Sequence, residues 1–331
     1  EKCPVSSIPV EPAEAEAVVM VGPTARFLCA AGHVEDLQAG LIAAEGGTFQ
    51  IAAASVTNSW SQGNKTLLYI PVRFSDQTNE PQTFDSLSNM MIAANTFFLE
   101  NSYHSTYVAV TITPTFVLPY DTAYYNSNGI YAVRNDALAV AKTNGYDYVN
   151  WNLDAVRYSG GPGAFSGAAY VGARGCWMKS SSAGVACHEF GHNFGMWHAN
   201  SWNPSDESPI GPGTWSEYGD SFDTMGAANA GTYHYNARYK AAINWIPPEG
   251  YQVVTNNGVY QVYAHDFTNS VDLIRGLRVV RSSTNNYSVE FRQKFTANTW
   301  LMNGAGLRRT ATANNNVPGS ELLDTTPQSP D

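Results

Sequence analysis

Charge is scarce in this chain of 331 residues, and basic charge is scarcest. Asp, Glu, Lys and Arg make up only 14% of the residues, and 28 acidic against 18 basic side chains give a formal net charge of -10. Proteins that bind nucleic acid need clustered basic side chains to replace counterions, so this balance argues against a nucleic-acid partner. No apolar run approaches the roughly 18 residues of a membrane-spanning helix. With Asn, Ser, Thr and Tyr carrying the polarity, we expect a secreted, monomeric protein without a membrane span.

Cysteine is sparse as well. The chain has four, Cys3, Cys29, Cys176 and Cys187, which allow three pairings. The neighbours in sequence are Cys3 with Cys29 and Cys176 with Cys187, and an oxidising compartment would favour both pairs as disulfides. The residues after Glu1 lack the pattern of a signal peptide, so we expect any export signal to have been removed or left out.

The composition changes twice along the chain, which indicates three regions. Residues 1–63 combine a leader rich in Pro, Ala and Glu with short apolar runs at about 18–55, which are separated by Gly and Pro and typical of small antiparallel strands. We expect either a removable pro-segment or a permanent small module there, followed by a polar linker at 57–64. Residues 64–247 show strand and helix patterns in alternation, and residues 248–331 show regular strand patterns.

The predicted fold class is α/β (α+β). The central region should form a mixed, three-layer domain with strands at 66–76, 106–118 and 146–152, helices at 84–103 and 130–143, and an edge strand at 168–172. The C-terminal region, with turn signals about every ten residues, should form an antiparallel β-sandwich or a jelly-roll fragment. The tail from residue 314 has no periodicity.

One segment carries the chemistry. Residues 184–200 read GVACHEFGHNFGMWHAN and contain His-Glu-x-x-His at His188, Glu189 and His192. On a helix, His188 and His192 project from the same face one turn apart, where two imidazoles can share a tetrahedral metal ion. Glu189 lies one residue further round the helix, so it is placed to act on water as a general base rather than to bind the metal.

The predicted third ligand is His198. Gly195 can adopt a positive φ, which ends the helix and turns the chain back toward the metal. Three neutral imidazoles leave the fourth position of a zinc ion open, as in catalytic zinc sites. A bare His-Glu-x-x-His occurs by chance in roughly one chain of this length in a hundred, and the glycine and third histidine reduce that chance about a thousandfold. We therefore predict one catalytic Zn²⁺.

The extended motif H-E-x-x-H-x-x-G-x-x-H resembles the signature of the metzincin zinc endopeptidases. The segment EYGDSFDTMGAAN at 217–229 is similar to the Met-turn of that clan, with Met225 as its methionine. The runs that follow the motif are most similar to the gametolysin-like family, over about residues 66–247. The resemblance implies a metzincin-like catalytic domain at 64–247, with a mixed twisted sheet, an active-site helix and Met225 beneath the three histidines.

The chain also departs from that clan. Ala227 stands where astacins and serralysins carry a tyrosine that can bind the zinc, so no such ligand is implied here. Tyr233 and Tyr235 follow soon after, and they are candidates either for core packing or for stabilising an oxyanion in the cleft. Asp223, two residues before Met225, is a candidate to orient a ligand histidine.

Other polar and aromatic residues near the motif have two interpretations. Carboxylates around the predicted Met-turn could bind Ca²⁺, which prefers several oxygen ligands, or could form a hydrogen-bonded acidic loop: Asp206, Glu207, Glu217, Asp220 and Asp223. Tryptophans near the motif could line a cleft or a core: Trp177, Trp197, Trp202 and Trp215. The isolated histidines His33, His104 and His265 are expected on the surface or in the core.

Two functions from different classes follow. The first is a secreted zinc endopeptidase that binds an extended protein or peptide substrate along the edge strand, with Glu189 as general base. The second is a non-catalytic adhesion or carbohydrate-binding protein with a structural zinc site, whose function lies in the C-terminal β region. Structural zinc sites normally have four protein ligands, whereas the motif supplies three and keeps Glu189, so the peptidase is the preferred hypothesis.

Overall fold

The computed structural model describes residues 16–21, 27–28, 59–227, 233–267, 273–281, 286–295, 298–310, 312–313 and 317–327. The predictions made for Cys3, Cys29 and His33 lie outside these residues. In the part of the chain that is described, no helix is both long enough and apolar enough to cross a bilayer.

Eighteen strands and five helices are numbered here in chain order among the described residues. The strands are β1 (Glu16–Val21), β2 (Phe27–Leu28), β3 (Gly63–Arg73), β4 (Thr106–Ile112), β5 (Phe116–Val117), β6 (Leu153–Arg157), β7 (Gly167–Ala169), β8 (Cys176–Met178), β9 (Ala199–Pro204), β10 (Gly213–Ser216), β11 (Tyr251–Val254), β12 (Gly258–Tyr263), β13 (Gly276–Val280), β14 (Asn286–Glu290), β15 (Gly306–Arg309), β16 (Thr312–Ala313), β17 (Val317–Pro318) and β18 (Ser320–Leu323). The helices are α1 (Phe84–Asn101), α2 (Thr122–Thr143), α3 (Ala183–Phe194), α4 (Ala237–Ala242) and α5 (Thr299–Met302). Short 3₁₀ turns lie at Ser59–Ser61, Tyr148–Asn150 and Pro248–Gly250.

A six-stranded sheet forms the centre of the predicted catalytic region. Five of its strands run in the order β4-β3-β6-β8-β7. The sixth strand, β5, also pairs with β3. All pairings are parallel except that of β7, which is antiparallel to β8 and lies at the edge. The predicted mixed sheet is therefore confirmed, and so is an edge strand, although it covers Gly167–Ala169 rather than the predicted 168–172.

Helices cover both faces of this sheet, as the strand-and-helix alternation predicts. Along β3, Leu67 and Tyr69 face a core that includes α1 and α3, whereas Leu68 and Ile70 face a core that includes α2. Successive residues of a strand point to opposite faces, so a strand that is apolar at every position must be covered on both sides. The three-layer prediction is confirmed.

Helix α1 follows the sequence pattern closely. Thr83 caps it, because its hydroxyl accepts a hydrogen bond from the backbone N–H of Ser86 at 3.3 Å. Its buried side chains recur at helical spacing: Leu87, Met90, Met91, Ala94, Phe97, Phe98 and Asn101. The predicted helix at 84–103 ends two residues earlier, at Asn101.

Helix α2 begins earlier than predicted. The prediction started at Ile130, but the helix starts at Thr122, where the Asp121 side chain accepts from the N–H of Tyr124 at 2.8 Å. Gly129 interrupts it with φ 79° and ψ -179°, a conformation that glycine adopts readily because it has no β-carbon. The polar first half, before this interruption, does not show the apolar periodicity of the second half.

The strand predicted at 146–152 is wrong. Tyr148–Asn150 form a 3₁₀ turn instead, and the strand β6 runs over Leu153–Arg157, all of it buried. The sequence does not indicate this strand because it contains Asp154 and Arg157, and charged residues seldom occupy a central strand unless they are paired. Asp154 pairs with Arg134 at 2.8 Å, and Arg157 Nε donates to Gln82 Oε1 at 3.0 Å.

The linker predicted at 57–64 is also wrong for its described part. Trp60 Nε1 donates to the carbonyl of Asn193 at 2.6 Å, and Ser61, fully buried, donates to the carbonyl of Ile243 at 2.5 Å. Gly63 and Asn64 already belong to strand β3. This polar, Gly-containing segment is therefore packed against the end of helix α3 rather than joining two units.

A seven-stranded sheet replaces the predicted antiparallel sandwich or jelly roll. Its order is β10-β9-β18-β15-β14-β13-β11, and two of its pairings, β9 with β18 and β11 with β13, are parallel. The sheet is therefore mixed. Strands β9 and β10 lie before residue 247, so this sheet is not made of C-terminal residues alone.

The described N-terminal strands pair with the C-terminal region. β1 is antiparallel to β12, with Glu16 opposite Tyr263, and β2 is antiparallel to β1. The short antiparallel strands predicted before residue 55 are confirmed at these two places.

Candidate metal centre

Helix α3 presents two histidines on one buried face. His188 and His192 are 5% and 6% exposed, and their ring centroids lie 4.8 Å apart. Gly195 ends the helix in the left-handed conformation with φ 112°, and its N–H donates to the carbonyl of His192. The predicted helix and its glycine stop are confirmed, because only a residue without a β-carbon takes this conformation at little cost.

His198 completes a cluster of three. Its ring centroid lies 5.4 Å from that of His188 and 4.9 Å from that of His192. One potential ligand atom from each histidine lies within 4.8 Å of the other two. Small side-chain shifts would bring all three nitrogens to about 2.0–2.1 Å from one zinc ion, so the residues fit a metal. Among the described residues, this is the one group of three or more His, Cys, Asp or Glu side chains with such spacing.

Each of these histidines has an acceptor on Nδ1. His188 contacts the Thr224 carbonyl at 2.8 Å, His192 contacts the Met196 carbonyl at 2.8 Å, and His198 contacts Glu217 Oε1 at 2.7 Å. A carbonyl or carboxylate oxygen accepts, so Nδ1 of each ring carries the proton and Nε2 is free to bind a metal.

Burial also keeps the two helix histidines neutral. It lowers the pKa of His188 to about 4 and, reinforced by the neighbouring His188, lowers the pKa of His192 to about 3. At neutral pH both imidazoles are therefore in the form that binds metals.

Glu189 lies beside the cluster and is 5% exposed. Burial raises its pKa to about 8 in the metal-free protein. A carboxyl group with a pKa near the working pH can both accept and return a proton. Its side chain reaches the edge strand, because a β-carbon on Gly167 would meet the Glu189 carboxyl group.

Met225 packs against helix α3. It is fully buried, and a β-carbon on Gly191 would collide with its Sδ and lie 3.1 Å from Oη of Tyr235. Tyr235 is buried too, and its hydroxyl donates to the carbonyl of Cys187 at 2.6 Å. Tyr235 is therefore a core residue that supports helix α3. Tyr233, in contrast, is 42% exposed and packs against Phe295 with ring centroids 4.3 Å apart.

Asp223 supports the turn below the site rather than a histidine. Its Oδ1 accepts from the N–H of Met225 at 2.7 Å, and its Oδ2 accepts from the backbone and side-chain nitrogens of Asn236 at 2.6 and 2.7 Å. Burial and the nearby Asp220 carboxylate raise the pKa of Asp223 to about 7. The carboxylate that contacts a cluster histidine is Glu217.

Sequence reasoning missed two roles next to His198. The sequence favours Glu217 as a calcium ligand or as part of a hydrogen-bonded acidic loop, and it indicates no role for Tyr218. The Tyr218 ring lies over His198 with centroids 3.8 Å apart, and it stacks with His188 at 5.9 Å. Their position at the start of the predicted Met-turn segment was the only available signal in the sequence, and their contacts depend on how the strands pair.

The acidic residues around the predicted Met-turn have separate partners. Asp206 accepts from the N–H of Ser208, and Asp220 forms an ion pair with Arg308 at 2.7 Å. With Glu217 on His198 and Asp223 on the turn, these carboxylates form no common cation site among the described residues. The hydrogen-bonded acidic loop is the interpretation that fits.

The tryptophans divide between core and surface. Trp177 is buried on the α2 side of the sheet, whereas Trp197 and Trp215 are 41% and 42% exposed. Trp202 is half-buried and stacks under Arg309 at 4.0 Å. Of the described isolated histidines, His104 is exposed, and His265 is buried with Nε2 3.3 Å from Glu290 Oε1.

The disulfide considered between Cys176 and Cys187 is not formed. Both cysteines are free and fully buried, Cys176 on strand β8 and Cys187 on helix α3, within the core that α1 and α3 share with the sheet. Their side chains serve there as small apolar groups.

Comparison with known proteins identifies no family for this chain. No protein-family model matches the chain, and no curated protein matches it. A solved structure described as a chaperone-substrate complex is similar to 54% of this chain and 33% of its own chain, with a TM-score of 0.34 and 16% identity. The chain thus corresponds to about a third of that structure's length, and a similarity this low carries no functional argument.

Proposed function

We propose that this protein is a secreted zinc-dependent endopeptidase of the metzincin kind. The observation that carries the proposal is the cluster of His188, His192 and His198, each with Nε2 free, beside the buried carboxyl group of Glu189. The histidines would hold the zinc. When bound, zinc supplies a Lewis acid and lowers the pKa of water at its open position to about 7.

Glu189 would act as the general base and then as the general acid. It follows His188 on the helix and so points away from the ligand face, toward strand β7. There it would take a proton from the attacking water and return it to the leaving amine. The elevated pKa of Glu189, near 8 without metal, suits a group that must return a proton near neutral pH.

Strand β7 would hold the substrate. Ala168 is opposite Trp177 on β8, and Tyr170 N–H donates to the Gly175 carbonyl in the same register. Hydrogen-bonded pairs alternate along an antiparallel ladder, so the backbone groups of Gly167 and Ala169 point away from β8. An extended peptide could pair with these two residues by strand addition, close to Glu189.

The alternative, a binding protein with a structural zinc site, is less well supported. A structural site needs a fourth protein ligand, and among the described residues no fourth His, Cys, Asp or Glu joins the cluster. Glu217 is close, but it contacts Nδ1 of His198. The C-terminal sheet also shares β9 and β10 with the predicted catalytic region, which disfavours a separate adhesion module.

Hydrolysis of a casein-type substrate tests the proposal. We expect cleavage that a chelator abolishes and added zinc restores, and we expect a Glu189→Gln variant that binds zinc without cleaving. The absence of cleavage by zinc-loaded protein across several unfolded protein substrates would refute the proposal. Retention of cleavage in the chelated protein would refute the assigned metal dependence.

A further inference from the structure

The three histidines come from two different parts of the fold. His188 and His192 lie on α3, which packs on the six-stranded sheet. His198 immediately precedes β9, a strand of the seven-stranded sheet. The helix therefore does not determine the position of His198, and another structural element must do so.

The β9–β10 pair brings a carboxylate to His198. The two strands are antiparallel, with Ser201 opposite Ser216, and Glu217 directly follows β10. In antiparallel pairing, the residues just before one strand and just after the other lie close together. There Glu217 Oε1 accepts from His198 Nδ1 at 2.7 Å.

Tyr218 contacts the same imidazole through its face. The two rings are 3.8 Å apart between centroids and tilted by 33°. The Tyr218 backbone is in the left-handed region with φ 61°, which is uncommon outside glycine, and its N–H donates to Asn200 Oδ1 at 3.1 Å. Strained conformations of this kind persist where the surrounding structure requires them, so the position of this ring is imposed by the fold.

The segment that carries Glu217 and Tyr218 is tied to the seven-stranded sheet. Asp220 N–H donates to the Ala199 carbonyl, and Asp220 Oδ2 accepts from Arg308 Nε at 2.7 Å, with both side chains fully buried. Arg308 lies on β15, which pairs with β18, and β18 in turn pairs with β9. The sheet therefore holds both His198 and the residues that contact it.

We propose that Glu217 and Tyr218 are positioning residues for the third metal ligand, held in place by the seven-stranded sheet. This inference rests on the metal site of the proposed function. Glu217 keeps the His198 proton on Nδ1, which leaves Nε2 for the metal, and Tyr218 restricts rotation of the imidazole ring. His198 needs both constraints because it lies outside the helix.

Zinc affinity, measured by competition with a chromophoric chelator on the full chain, tests this role directly. Glu217→Ala should weaken zinc binding by about 10–100-fold, the usual effect of losing a group that orients a ligand. Glu217→Gln should weaken it less, because the amide oxygen still accepts from Nδ1. Tyr218→Ala should weaken binding, whereas Tyr218→Phe, which keeps the ring, should match wild type. The exposed Glu207, changed to Ala and to Gln, is the matched control.

The absorption spectrum of the Co²⁺-loaded variants gives a second readout, since it reports ligand geometry. It should change in Glu217→Ala and stay unchanged in Glu207→Ala. Circular dichroism of the metal-free variants checks folding, and if Glu217→Ala does not fold, Tyr218→Ala decides. Zinc affinity within about twofold of wild type in the folded Glu217→Ala protein, or in Tyr218→Ala where that variant decides, would overturn the inference.

The outcomes separate this inference from the proposed function. A wild-type protein that binds zinc with this dependence on Glu217 but cleaves no protein would refute the peptidase and leave the positioning role intact. A zinc-dependent peptidase whose zinc affinity is unchanged by substitution of Glu217 would refute the positioning role alone.

Discussion

A β-carbon on Gly167 would lie 2.5 Å from Cγ and 2.6 Å from Oε1 of Glu189. Strand β7 and helix α3 therefore approach each other closely only because residue 167 has no side chain. In the proposed peptidase, this contact brings the general base next to the strand that would bind the substrate.

Gly167→Ala should lower kcat/KM at least tenfold, because the added methyl group must displace either Glu189 or the edge strand, and small misplacements of a catalytic group are costly. Zinc affinity should not change, since no histidine of the cluster moves. The control is Ala168→Ser, whose side chain lies on the opposite face of the strand. Unchanged kinetics in Gly167→Ala would mean that Glu189 does not work from the position seen here.

Glu189→Gln should lower kcat by about 10²–10⁴-fold, the range typical of losing a general base. Zinc affinity should stay close to that of wild type, because Glu189 is not a ligand in the proposed site. Glu207→Gln, at an exposed position, should leave both quantities unchanged. A Glu189→Gln protein that keeps most of its turnover would show that another group accepts the proton.

His198→Ala should bind zinc far more weakly than wild type and should lose activity with the metal. Wild type should contain one zinc per chain by elemental analysis. His104→Ala is the control, since His104 is exposed and outside the cluster. Full zinc occupancy in His198→Ala would place the third ligand elsewhere.

The stability of the metal-free protein should fall as the pH is lowered, in part through Glu290 and His265. Burial alone would raise the pKa of Glu290, but Arg292, Arg308 and His265 hold it well below its usual value of 4.5. Burial lowers the pKa of His265 from 6.5 to about 4. Both groups have depressed pKa values in the folded state, so each favours folding above its unfolded pKa and loses that contribution as the pH falls.

Urea unfolding at successive pH values checks this expectation. The His265 contribution should decline between pH 6.5 and about 4, and that of Glu290 should decline below pH 4.5. Glu290→Gln should cost about 3–5 kcal/mol at pH 7, because it leaves buried arginines with fewer partners. The difference from wild type should shrink in acid, whereas Glu249→Gln, at an exposed site, should show none. A difference independent of pH would mean that the charge of Glu290 does not contribute.

Local pattern was enough to predict part of this molecule. The spacing of His188, His192 and His198 and the glycine stop at Gly195 are properties of one short segment, so they could be predicted without any tertiary information. The same holds for α1, whose apolar side chains recur with the period of a helix. Strand β6 was placed wrongly because its buried charges, Asp154 and Arg157, are paired with residues elsewhere in the fold.

The partners of His198 could not be predicted for a related reason. Glu217 meets His198 because β9 pairs with β10, and β9 is held from its other side by β18, with Ala199 opposite Ser320. β9 and β10 are close in the chain, but β18 is far from them, and its pairing with β9 leaves no local signature in the sequence. Asp223 seemed a natural partner from its position near Met225, but its contacts with Asn236 direct it into the turn.

The two free, buried thiols, Cys176 and Cys187, can report opening of the core by their reactivity. Burial raises the pKa of Cys176 and of Cys187 well above the usual value, so neither is a reactive thiolate in the closed structure. Alkylation must then wait for the core to open, and its rate reports the free energy of that opening. Because Cys187 is next to His188, mass spectrometry of the alkylated peptides would follow the opening of the candidate metal centre without an introduced cysteine.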